Sequence, residues 1–138
     1  MLLKSKKTLG ISQEVFESII GPSIQVQGNL LISQGVRVDG TVNGSILQQD
    51  GQDAVVAISE SAVITGDVKA NSIIISGHLK GNIISNVRLE ILKTARIDGN
   101  VSYNSIGMEM GATINGNLHQ LDEQQLAQDV IERVKQKV

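Results

Sequence analysis

Proton transfer near neutral pH is most readily done by histidine, and the chain has two, His78 and His119. His78 lies in Ser76-Gly77-His78-Leu79, on the polar slot of an alternating stretch, and His119 follows the last such stretch. Both read as solvated surface side chains. The carboxylates, Asp39, Asp67 and Asp98 among them, occupy similar polar slots and read as solubilising charges. A metal centre needs several convergent His, Cys, Asp or Glu ligands. Cysteine is absent, which removes thiolate ligands, thiol nucleophiles and disulfides. No GxxxxGK[ST] loop is present to cradle phosphates, no GxGxxG follows a strand, and neither HExxH nor GxSxG occurs. The expectation is a protein that is not an enzyme, with no catalytic or metal-binding residues, no cofactor and no bound nucleotide.

The elements carrying these residues are repeats. A five-residue unit, aliphatic-x-Gly-x-aliphatic, recurs as Val26–Leu30, Val38–Val42, Val42–Ile46, Ile64–Val68, Ile75–Leu79, Leu79–Ile83, Ile97–Val101 and Ile114–Leu118. A longer unit encloses some copies, as in Ile58/Ala62/Gly66 and Met108/Ala112/Gly116. One set of anchors, Gly28, Gly44, Gly66, Gly81, Gly99 and Gly116, has a mean spacing of about 18 residues. Its widest gap holds Gln48-Gln49-Asp50-Gly51-Gln52-Asp53, which reads as a loop insertion. Within each unit the period is two: Val38, Gly40, Val42, Gly44 and Ile46 alternate with Arg37, Asp39, Thr41, Asn43 and Ser45. That is the pattern of a half-buried strand, with the glycines expected on the inward side at corners.

Short strands, about six residues per face and three faces per coil, describe a parallel β-helix. The composition agrees. Hydrophobic residues make up 41%, yet there is no Trp, one Phe and one Tyr. A narrow interior stacked with Ile, Val and Leu excludes large aromatics. A β-sandwich would explain the Asp-Gly and Asn-Gly pairs as hairpin turns, but gives no reason for one fixed internal pattern. A hexapeptide-repeat acyltransferase also stacks coils of about 18 residues. It has a strict six-residue phase and a catalytic His. Here Gly follows the aliphatic by two, and the inward parity slips from even to odd at Ala70-Asn71-Ser72.

The solenoid is expected over residues 21–118. Residues 1–20 read as a flexible N-terminal tail, with Phe16, Ile19 and Ile20 packing on the first coil. Met1, Leu2 and Leu3 with Lys4, Lys6 and Lys7 combine an apolar tip with a basic cluster. Such a segment gains about 1 kcal/mol per Lys at an anionic bilayer surface, and many copies on one filament bind by avidity. No h-region follows the lysines, so a cleaved signal peptide is not expected, nor does any apolar run reach the length of a bilayer span. In residues 119–138, Leu126, Val130, Val134 and Val138 recur every four residues beside Ile131, reading as a short amphipathic helix or a disordered tail. The formal net charge is −2, which makes nucleic acid a poor partner. The default location is the cytoplasm.

Several segments in order resemble the bactofilin family. Val36-Arg-Val-Asp-Gly-Thr-Val-Asn-Gly-Ser-Ile46 looks like the start of its core and Ile58-Ser-Glu-Ser-Ala-Val-Ile-Thr-Gly-Asp-Val68 like its second signature. Ile73–Ile83 and Leu89–Val101 continue it, and Gly111–Gly116 resembles its close. The resemblance covers roughly residues 19–118. It implies a right-handed parallel β-helix and a bacterial cytoskeletal scaffold that polymerises end to end without nucleotide. Family members serve cell shape and the envelope, often beside the inner membrane, and Met1-Leu2-Leu3-Lys4 is similar to their membrane-targeting peptide.

Physical reasoning points the same way. A solenoid ends in unpaired backbone groups and an open core, which soluble solenoids cover with polar caps. This chain puts apolar residues at both ends: Ile24, Val26 and Leu30 at one, and Ile106, Met108, Met110, Ile114 and Leu118 at the other, with Tyr103 as an additional contact. These are the expected polymer interfaces, the partner being a further copy of the chain. A non-polymerising solenoid presenting a flat face to some partner stays open as an alternative.

Overall fold

The computed structural model describes residues 16–122. It is built from sixteen strands, every pairing parallel, with no helix among the described residues. The strands stack on three faces. Face one holds β1 (Ser18–Ile20), β4 (Gly35–Val38), β7 (Val55–Ile58), the second half of β9 (Val68–Ile75), the second half of β11 (Ile83–Ile91) and β14 (Ile106–Met108). Face two holds β2 (Gln25–Gln27), β5 (Thr41–Asn43), β8 (Val63–Thr65), β10 (His78–Lys80), β12 (Arg96–Asp98) and β15 (Thr113–Asn115). Face three holds β3 (Leu30–Ile32), β6 (Ile46–Gln48), the first halves of β9 and β11, β13 (Val101–Tyr103) and β16 (Leu118–Gln120). Six coils of a β-solenoid result. Because β9 and β11 bend across the corner without breaking, faces three and one merge into one sheet.

Alternation decides which side chains enter the core. On face two, Val26, Val42, Ile64, Leu79, Ile97 and Ile114 lie in register, one per coil. The register steps differ: Ile64 sits 22 residues after Val42, and Leu79 only 15 after Ile64. The long coil carries the expected insertion, a turn in which the Gln52 amide donates to the Gln49 carbonyl. Val38, Val42, Ile46, Val56, Ile64, Val68, Ile73, Ile75, Leu79, Ile83, Leu89, Ile91, Ile97 and Val101 are fully buried as one continuous column. Full burial of each such side chain contributes roughly 1.5–3 kcal/mol.

The glycine anchors form one vertical column, but for a different reason from the one expected. A Cβ on Gly44, Gly66, Gly81, Gly99 or Gly116 would not crowd the core. It would strike the carbonyl oxygen of the anchor glycine one coil earlier. All five also have φ between +151° and +157°, a region L side chains rarely adopt. The residue after each anchor completes the corner. The Asn29 side chain accepts the Ser45 amide, Ser45 that of Asp67, Asp67 that of Asn82, Asn82 that of Asn100, and Asn100 that of Asn117, at 2.8–3.1 Å. This ladder satisfies amides that a tight corner would leave without partners.

The parity slip is present at Ala70 and Asn71, which are both buried. Asn71 is made tolerable by hydrogen bonding: its amide donates to Gln48 Oε1 at 2.8 Å and its Nδ2 to Asp53 Oδ1 at 2.9 Å. A second slip follows Tyr103, after which Ile106 is the next inward residue. The first coil also begins earlier than Gly21: β1 pairs Ser18, Ile19 and Ile20 with Val36, Arg37 and Val38. Of the residues expected to pack there, Ile20 joins the core and Ile19 points outward, 58% exposed.

Candidate assembly interface

The two ends of the solenoid are built from residues whose counterparts in the middle coils are fully buried. At the C-terminal end, Ile106, Ile114 and Leu118 continue the inward columns of β14, β15 and β16. Each of these strands pairs on one side only among the described residues. Ile106 and Ile114 are half-buried, packed on the core from one side. Leu118 and Met108 are about half exposed, at 50% and 49%. Met110 stands at a corner of the sixth coil and is 93% exposed. Tyr103 lies one coil further in, paired with Gln120 and packed against the core, so it sits beneath the terminal coil rather than on it.

At the N-terminal end, Val26 and Leu30 are half-buried, and Ile24 is 47% exposed in the turn closed by its amide to the Gly21 carbonyl. The structure adds Ile20 and Ile32, inward residues of the same coil that the sequence reading left out of the interface. Their alternation with Val26 and Leu30 was the available signal. Between β1, β3 and the start of β4 the coil leaves a cleft of about 440 Å³, lined by Ile20, Leu30, Ile32, Val36 and Glu17 among others. Three strand edges at each end, unpaired among the described residues and lying over an apolar interior, can pair with further strands and bury what they expose. The remaining candidates, Met1, Leu2, Leu3, Lys4, Lys6 and Lys7, lie outside the described residues, as does the expected helix at Leu126–Val138.

Of the residues weighed for chemistry, His78, Asp39, Asp67 and Asp98 are engaged in cross-coil contacts on the outside. His78 Nε2 lies 2.8 Å from Asp98 Oδ2, Asn115 Nδ2 donates to Asp98 Oδ1 at 2.8 Å, and Arg96 Nε is 3.7 Å away. These three strands of face two are clasped by one carboxylate. Its hydrogen bonds from His78 and then Asn115 hold it below the usual carboxylate range. On face one, Asp39 accepts from Arg37 at 2.8 Å and from the Ser59 hydroxyl. Those two hydrogen bonds, Arg37 first, lower its pKa. No cluster of three or more His, Cys, Asp or Glu residues that could hold a metal ion occurs among the described residues. Nor do the described residues include a helix long and apolar enough to cross a membrane.

Comparison with known proteins agrees with this geometry. The chain is similar to bactofilin BacO of Myxococcus xanthus (strain DK1622), 26% identical over 101 residues, covering 73% of this chain and 77% of that protein. It is also similar to bactofilin BacP of the same organism, 25% identical over 114 residues, covering 83% of this chain and 46% of BacP. No solved structure matches. The family model for bactofilins, described as polymer-forming and cytoskeletal, matches residues 18–119, from the first strand of the solenoid into its last. With its six-coil solenoid and a match that runs the length of it, this chain belongs to the bactofilin family.

Proposed function

We propose that the chain is a cytoskeletal scaffold that forms filaments without nucleotide, by stacking the end coils of its solenoid on those of further copies. The observation that carries this reading is the pair of open ends, where Ile20, Val26, Leu30 and Ile32 at one and Ile106, Ile114 and Leu118 at the other continue the aliphatic core to the surface. A contact at both ends propagates instead of closing, which makes a fibre. The filament lies along the cytoplasmic face of the inner membrane, held by many copies of the Met1–Lys7 segment, and supports cell shape or envelope organisation through envelope proteins. The family supports the polymer; the basic, apolar-tipped sequence of residues 1–7 supports the membrane contact.

The test is sedimentation of the purified chain without nucleotide, beside Ile114→Arg and Val26→Arg. The expected outcome is a pelleting wild type and soluble variants with unchanged β-sheet circular dichroism. Pelleting of both variants to the wild-type extent contradicts the end-coil interface. For the membrane part, deletion of Met1–Lys7 should abolish co-sedimentation with anionic liposomes while filaments persist.

A further inference from the structure

The chain has three methionines, and the two among the described residues, Met108 and Met110, both lie in the sixth coil. Met108 stands in one inward column of face one, in register through Ile20, Val38, Ile58, Ile75 and Ile91. Val38, Ile58, Ile75 and Ile91 are fully buried, while Met108, the last of the column, is half exposed. Met110 stands at the corner between β14 and β15. That corner is closed by the Ala112 amide on the Glu109 carbonyl, as Ala62 closes on Ser59 and Ala95 on Leu92. The place of Met110 is thus held by Glu60 in the third coil and Lys93 in the fifth, both exposed charges. At the end of the solenoid an exposed thioether replaces the charge. A single exposed methionine needs no explanation. A methionine that ends an otherwise aliphatic core column, with a second beside it, puts an oxidisable group at the open end.

We propose that Met108 and Met110 form an oxidation site through which peroxides switch off stacking at the C-terminal end coil, an inference that rests on the end-coil reading above. The thioether sulfur attacks hydrogen peroxide and the O–O bond breaks. One oxygen stays on the sulfur as a sulfoxide, and the other leaves as water. The sulfur is oxidised and the peroxide reduced, and an organic hydroperoxide reacts in the same way, leaving its alcohol. No cysteine competes for the oxidant. A sulfoxide is polar and chiral where the thioether was flexible and apolar. On Met108 it sets an S=O dipole into the column that the next copy covers, where burial without a partner is costly. Met110, the more exposed, reacts first; Met108, the inward one, decides the effect. A stacked neighbour shields Met108, so oxidation acts on free chains and free ends and stops growth. The change is reversible. A sulfoxide reductase driven by a dithiol returns the thioether, the oxygen leaving as water and the dithiol becoming a disulfide.

The first test compares Met108→Gln, whose amide carbonyl stands in for the sulfoxide oxygen, with Met108→Leu, by sedimentation without nucleotide. Met108→Leu should pellet as the wild type does. Met108→Gln should need at least about tenfold more protein to pellet, with unchanged β-sheet circular dichroism. Equal pelleting of the two overturns the proposal. The second test applies the chemistry itself. Wild type and a Met108→Leu, Met110→Leu variant are oxidised with hydrogen peroxide in urea, so that the sulfurs react whatever the state of assembly, and dialysed back. Peptide mass mapping locates the added oxygen. The oxidised wild type should stay in the supernatant and pellet again after treatment with methionine sulfoxide reductase and dithiothreitol. The oxidised double variant, which keeps only Met1 as a thioether, should pellet throughout. A wild type that pellets with sulfoxide on Met108, or a double variant that oxidation keeps soluble, overturns the proposal. The end-coil reading is judged separately by Ile114→Arg and Val26→Arg. If those stay soluble while oxidation changes nothing, only the switch has failed; if they pellet, the interface itself has.

Discussion

Among single residues, the anchor glycines carry the sharpest constraint. At Gly99 a methyl group would meet the Gly81 carbonyl, at a φ of +154°. Gly99→Ala should therefore destabilise the solenoid by at least about 2 kcal/mol in denaturant unfolding. At Gly21 a Cβ would meet nothing within 4 Å, so Gly21→Ala should change stability by no more than about 0.5 kcal/mol. Asp39 sets a pH dependence. Its pKa is lowered in the folded state by Arg37 and Ser59. The resulting stabilisation is complete above the unfolded carboxylate value, about 3.9, and is lost as pH falls through the folded value. Thermal melts of the wild type should fall more steeply below about pH 4 than those of Asp39→Asn, while the two run parallel from pH 5 to 8. The glycine positions were legible from their spacing. Their cause was not, because it depends on how closely one coil lies on the next, and that distance appears only once the coils are stacked.

For the strands and corners, local alternation separated inward from outward positions within the glycine-anchored units, and the Ala70–Ser72 slip showed as a change of parity, but it did not reach Ile19, which points outward in β1, or the second slip after Tyr103. What makes the slip tolerable was hidden. Gln48 reads as the first polar residue of a loop, yet it ends β6, and its Oε1 accepts the amides of both Ala54 and Asn71. A side chain that binds two corners 17 residues apart leaves no local trace in the sequence. Gln48→Ala removes an acceptor from two partly buried amides and should cost roughly 2 kcal/mol or more, with faster hydrogen exchange at Ala54 and Asn71 as its local signature. The start of the first coil was also missed. Ser18–Ile20 has no anchor glycine before it, and only its pairing with Val36–Val38 assigns it to the solenoid.

At the scale of the whole molecule, the scarcity of aromatics foretold a narrow aliphatic core, and that core reaches both ends without a polar cap among the described residues. Which residues form the end coils was legible to within one coil. The terminal set fell in the sixth coil as expected, apart from Tyr103, whose parity relative to Ile106 is reset by the second slip. Six coils at about 4.8 Å make a subunit about 29 Å long. If subunits join by continuing the stack, strands run across the filament and coils repeat along it. Electron cryomicroscopy of filaments assembled without nucleotide tests this directly. The account predicts a meridional layer line at about 4.8 Å and an axial rise of about 29 Å per subunit. Discrete particles in place of filaments, or a 4.8 Å reflection on the equator, would contradict it.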